Sequence, residues 1–141
     1  NLSREEQKEL SNKVKELTGG LGPNVIYDPV GGSYAEPCLR SIAWEGRYLV
    51  IGFAAGADQI PKMPLNLTLL KGCQIVGVFW GAWAGMFPGE NKKNFEELFS
   101  LFSDGKIDPT PSDKFTLEDS ANAIEHLKAR KAKGKVIVSI N

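Results

Sequence analysis

An α/β fold on a parallel sheet is what this sequence predicts, on three observations. Three short apolar runs, at residues 25–28, 48–51 and 75–79, lack polar alternation, as strands buried on both faces of a parallel sheet do. Each run breaks on glycine: Gly31-Gly32 after the first, Gly52 and Gly56 after the second, Gly77 and Gly81 in and after the third. Glycine there permits tight turns and close approach of a ligand to the backbone. Segments of helical periodicity alternate with the runs, the order expected of a parallel sheet. Open sheets of this kind bind ligands outside the carboxyl ends of their strands, so the same glycines mark the edge where chemistry is expected.

The first element is a helix over about 4–18. Ser3-Arg4-Glu5-Glu6 has the form of a capping box, Leu10, Val14 and Leu17 follow at helical spacing, and Gly19-Gly20 ends it. Gly19-Gly20-Leu21-Gly22 follows a helix and precedes a strand, the reverse of a dinucleotide fingerprint, and reads as a cap and turn. A strand over 24–28 comes next, then a helix over 33–43 with Tyr34, Cys38, Leu39 and Ile42 on one face. The second strand covers 47–52. Gly56, Pro61 and Pro64 make residues 53–64 an irregular loop, and Asn66 is expected to cap a short helix through Lys71. The third strand covers 73–79. Residues 81–89, glycine-rich yet carrying Trp83, Met86 and Phe87, read as a loop. Phe95, Leu98, Phe99 and Phe102 define an amphipathic helix over 90–103. Thr116-Leu117-Glu118-Asp119 is a second capping-box form, expected to open a helix with Ala121, Ile124 and Leu127 inward, before a terminal strand at 136–140. No internal repeat or low-complexity linker interrupts the series.

Composition narrows the function. The 141 residues suffice for one ordinary domain, and 42% hydrophobic with 24% charged residues is a globular balance. Lys+Arg and Asp+Glu both total 17, so the basic footprint of a nucleic-acid binder is missing. The one basic run, at 128–135, reads as a solvated helix end whose cations favour the helix dipole. No apolar run approaches the ~18 residues of a membrane span, and the charged start lacks a signal-peptide core. A chain without an initiator methionine is expected of a fragment or processed product. Cys38, Cys73 and the single His126 lack metal-ligand spacing, so no metal site is expected. The two cysteines read as small buried hydrophobes in a reducing compartment, the cytoplasm with the mitochondrion as alternative.

Four motifs in order carry a family resemblance: Tyr27-Asp28-Pro29-Val30-Gly31-Gly32, Gly46-Arg47-Tyr48-Leu49-Val50-Ile51-Gly52-Phe53-Ala54, Gly77-Val78-Phe79-Trp80-Gly81 and Lys133-Gly134-Lys135-Val136. Together they resemble the zinc-independent quinone oxidoreductase branch of the medium-chain dehydrogenase/reductase superfamily. The resemblance implies a partial Rossmann-type parallel sheet with helices on both faces. Residues 1–108 would be the second half of a nucleotide-binding domain, and 109–141 a helix and strand returning toward a catalytic domain. It implies NADPH as cofactor, with NADH as alternative, and a quinone or enone as small-molecule substrate. It also implies a homo-oligomer joined through the edge strand 73–79, with neither nucleic acid nor membrane as partner.

The family's cofactor contacts carry over to Asp28, Pro29 and Val30, to Gly52, Phe53 and Ala54, to Phe79, Trp80 and Gly81, and to Arg130, Gly134 and Lys135. Each has a plainer structural reading: Asp28-Pro29 as a turn, Gly52 as a turn glycine, Phe79 and Trp80 as core, Arg130 as a solvated cation. No residue here is required as general acid or base, because the cofactor carries the chemistry. The family's glycine-rich pyrophosphate loop is not among these 141 residues, so the chain by itself is expected to bind NADPH weakly or not at all. A non-catalytic dimerisation half-domain is the alternative reading.

Overall fold

A computed structural model describes residues 2–140. They fall into two compact units, divided between Met86 and Phe87.

In the first unit, helix α1 (Arg4–Leu17) opens with the expected capping box. The Glu6 amide donates to Ser3 Oγ at 3.2 Å, and the Ser3 amide donates to Glu6 Oε2 at 2.7 Å. These backbone and hydroxyl donors hold the Glu6 carboxyl below its ordinary pKa. Strand β1 (Val25–Asp28) leads through a 3-10 turn at Gly32–Tyr34 into α2 (Ala35–Ser41). Where one helix over 33–43 was expected, the chain thus forms two short pieces; Gly31 and Gly32, at φ 67° and 60°, delay the α conformation. Strand β2 (Arg47–Val50), α3 (Asn66–Lys71), β3 (Gln74–Gly77) and α4 (Trp80–Met86) complete the unit.

The three strands form a parallel sheet in the order β1-β2-β3, with Tyr48 beside Ile26 and Ile75. This is the predicted α/β class. All three strands are shorter than the sequence implies. The Ile51 amide still makes a ladder bond to the Asp28 carbonyl at 2.9 Å, and the ladder ends where the Gly52 amide turns onto the same carbonyl at 3.4 Å. The core lies on one face of the sheet, where Tyr48 packs with Ala35, Leu39, Ile42 and Leu67, and Ile26, Val50, Cys38 and Cys73 close around them. On the opposite face Val25 and Tyr27 are exposed. Burial on both faces, expected from the apolar runs, is therefore met on one face by the residues of this unit.

Three local readings are corrected. Asn66 does not cap α3; Leu65 occupies that position, and Asn66 is already helical. The segment read as a loop from 81 is helix α4, whose alanines and methionine favour the helix despite two glycines. Pro88 then opens α5 at the first turn, where its missing N–H costs nothing.

The second unit contains α5 (Pro88–Ser103), β4 (Pro111–Thr116), α6 (Ser120–Lys128) and β5 (Lys135–Ser139), with β4 and β5 parallel. Strand β4 was not foreseen. Thr116, read as a helix cap, is instead its last residue. Its hydroxyl does accept the Asp119 amide at 3.3 Å, but in the turn ahead of α6. His126 of α6 faces Asp113 of β4 at 3.2 Å and lies against the Phe115 ring.

Candidate functional site at the carboxyl edge of the sheet

Asp28, the last residue of β1, organises the edge. Its Oδ1 accepts the amides of Val30 at 2.9 Å and Gly31 at 2.8 Å, closing a tight turn around Pro29. Its Oδ2 accepts the Tyr48 hydroxyl. Tyr48 is 2% exposed, and Asp28 sits two residues beyond its cross-strand partner on the same face. Burial, then the Asp28 hydrogen bond and charge, raise the Tyr48 hydroxyl pKa well above its ordinary value. Cys38 shifts the same way, chiefly by burial and secondarily through the Asp28 charge.

The turn after β1 and the loop after β2 lock together. The Ala54 amide donates to the Pro29 carbonyl and the Ala55 amide to the Val30 carbonyl, both at 3.0 Å. Gly31 has a left-handed φ, and a Cβ on it would press the Phe53 ring at 3.0 Å; one on Gly32 would meet the Ala55 Cβ at 2.8 Å. A Cβ on Gly52 would lie 3.3 Å from the Pro29 carbonyl. Glycine is needed at Gly31 and Gly32 for the backbone and at Gly52 for the close approach of the two loops.

Beside these loops runs an open groove of about 540 Å³. Its walls are Val50, Ile51, Gly52 and Phe53 from the end of β2, and Gly77, Val78 and Phe79 from the end of β3. Phe79 is 80% exposed at its rim. Trp80 and Gly81 begin α4 directly afterwards. A smaller cavity of about 190 Å³ lies under Phe53, between Asp28, Tyr48, Pro61 and Met63.

Nine of the twelve predicted site residues thus gather at one sheet edge: Asp28, Pro29 and Val30; Gly52, Phe53 and Ala54; Phe79, Trp80 and Gly81. The other three belong to the second unit. Arg130 follows α6 at φ 54°, Gly134 passes close to the Thr110 carbonyl, and Lys135 begins β5 opposite Pro111. Sequence reasoning missed Tyr48, whose aromatic ring reads as ordinary strand core. The signal available was parity: in the parallel register, Tyr48 shares a face with Asp28.

A family profile described as zinc-binding dehydrogenase matches residues 4–138. Quinone oxidoreductase-like protein 2 of Rattus norvegicus is 38% identical over 95% of this chain, and its homolog in Nematostella vectensis is 37% identical over 94%. The chain spans 38% and 36% of those proteins' lengths. Among solved structures, a mycobacterial protein complexed with NADPH superposes with a TM-score of 0.76 at 25% identity, covering 96% of this chain and 42% of that one. A quinone oxidoreductase of Pseudomonas syringae gives 0.71 at 26%, covering 92% and 39%.

The family's description names zinc, and the cysteines and histidine among the described residues are Cys38, Cys73 and His126. Cys38 and Cys73 pack against the apolar core of the first unit, and His126 pairs with Asp113 in the second. Among the described residues no three His, Cys, Asp or Glu side chains gather to hold a metal. The fold, the motif order and the profile agree: the chain belongs to the zinc-binding dehydrogenase family and matches a C-terminal domain of the medium-chain dehydrogenase/reductase superfamily.

Proposed function

We propose that this chain supplies the nicotinamide side of an NADPH site in a quinone or enone oxidoreductase. One observation carries the reading: two interlocked loops and an apolar groove meet where parallel sheets bind ligands. The NADPH complex of the mycobacterial neighbour supports the cofactor, and the names of the rat, sea-anemone and Pseudomonas proteins support a quinone as acceptor.

NADPH, when bound, supplies the hydride. The protein's part is placement and exclusion of water. Gly52 lets a flat ring approach the backbone, and Phe53 and Phe79 give that ring apolar walls. Asp28 is occupied by three donors, so it holds the loop and takes no proton from substrate. Fixed placement of reactants contributes about 7–11 kcal/mol toward such a reaction. Strand β3 is an outer strand of its sheet with Ile75 and Val76 partly exposed, and we propose that it pairs with a second copy.

The test joins the chain behind the N-terminal portion of the rat relative and follows NADPH oxidation by a quinone. Turnover is expected, and Gly52→Val should reduce it at least tenfold while circular dichroism stays unchanged. Folded chimera without turnover, or turnover indifferent to Gly52→Val, would contradict the assignment.

A further inference from the structure

A second groove of the first unit lies away from the residues of the sheet edge. It is a groove of about 890 Å³ with α1 as one wall, α3 as the other and α2 between them. Its size is that of a small-molecule site, which spans about 300–1,000 Å³.

Charge on α1 is sorted by face. The helix carries Arg4, Lys8, Lys13 and Lys15 against Glu5, Glu6, Glu9 and Glu16, so it is neutral as a whole. The residues it turns into the groove are Arg4, Gln7, Lys8, Ser11, Asn12 and Lys15, without one carboxylate. Arg40 of α2 and Lys71 of α3 bring the cations to five, against Glu36 alone. Glu36 is engaged by Arg40 at 2.6 Å.

Elsewhere the helical lysines are compensated. Lys13, Lys92, Lys93 and Lys128 each face a glutamate one turn away. Arg4, Lys8 and Lys15 make no ion pair among the described residues. At positions three and four away on α1, Lys15 has Ser11, Asn12 and Thr18 and no acid. In a chain of zero formal charge, this groove is a local concentration of unneutralised cations.

Two further features shape the occupant. Ser11 is 6% exposed and lines the groove, a buried hydroxyl whose surroundings are cationic. Leu67 and Leu70 supply an apolar stretch on the α3 wall, and Leu70 is largely exposed. Anions alone would not require that stretch.

We propose that the groove binds an organic polyphosphate, with its phosphates on Arg4, Lys8 and Lys15 and its apolar or aromatic group against Leu67 and Leu70. A nucleoside diphosphate has this chemistry. Lysine and arginine together suit it: arginine pairs bidentately with phosphate oxygens, and lysine acts as a mobile point charge. Binding should weaken with salt, because exposed charges are screened over about 10 Å at 0.1 M.

The test is an NMR titration of the 141-residue chain with ADP and, separately, with inorganic pyrophosphate. ADP should shift the amides of α1 and α3 saturably, and pyrophosphate should shift α1 with weaker affinity. Lys8→Gln with Lys15→Gln, changes at an exposed and a half-buried position that retain helix propensity, should weaken ADP at least tenfold. Lys92→Gln with Lys93→Gln, on α5, should leave it unchanged. Leu70→Ala should weaken ADP and leave pyrophosphate alone. Absence of saturable shifts, shifts spread over all lysines, or equal losses in the two double variants would overturn the proposal. Equal affinity for pyrophosphate and ADP would overturn the role of the α3 wall.

Discussion

Tyr48 and Asp28 show how a single pair of side chains can set a loop. The Tyr48 hydroxyl donates to a carboxylate whose other oxygen already holds two amides of the next turn. Tyr48→Phe keeps the ring in the core and leaves that oxygen short of a donor, which should cost about 1–2 kcal/mol in urea unfolding. The pH dependence has a definite sign. The hydroxyl's pKa is raised in the folded protein by burial first and by Asp28 second, so the folded state holds the proton more tightly than the unfolded chain. Its contribution is complete below the ordinary tyrosine value of about 10 and is lost as pH rises beyond it. Unfolding midpoints measured from pH 8 to 11 should therefore fall more steeply for the wild type than for Tyr48→Phe. Equal alkaline slopes would contradict the linkage. Glu45 is a second residue-level case: it sits at φ 58° in the turn before β2, while its amide bonds the Lys71 carbonyl at 3.1 Å. Glycine keeps that amide and removes the Cβ penalty, so Glu45→Gly should raise stability by about 0.5–1 kcal/mol in thermal unfolding.

Among the elements, α2 carries the packing. Although only seven residues long, it places Ala35 and Leu39 beneath the sheet, with Ile42 just beyond its end. Leu39 is fully buried, and Leu39→Ala should destabilise the first unit by about 2–5 kcal/mol, read as a lowered urea midpoint. The elements also show what the sequence makes legible. Helix α1 was readable because its capping box and glycine stop are local signals, and both are satisfied by neighbouring atoms. The β-branched runs likewise located β1, β2 and β3. Strand β4 was not readable: Pro111, Ser112, Asp113 and Lys114 have poor strand propensity, and the strand exists because β5 pairs with it across some twenty residues. Helix α4 was hidden by Gly81 and Gly85, punctuation that here costs helix stability without ending the helix. The Thr116 motif formed its hydrogen bond, yet a cap requires a helix immediately after it, and pairing with Ser139 claims that backbone for the sheet.

For the molecule as a whole, the parallel sheet and the loops at its carboxyl edge were legible together, because the same glycines that end the strands shape the loops there. What the residues could not reveal was the sorting of charge around α1, which a linear count balances to zero and the fold resolves into a basic groove. The central claim is that the groove between the ends of β2 and β3 receives the nicotinamide ring. The most direct measurement is an NMR titration of this chain with reduced nicotinamide mononucleotide, which carries that ring and a single phosphate. The account predicts weak, saturable shifts confined to the amides of residues 28–31, 50–54 and 77–81. Shifts absent at saturating nucleotide, or centred on α1 and α3 instead, would contradict it.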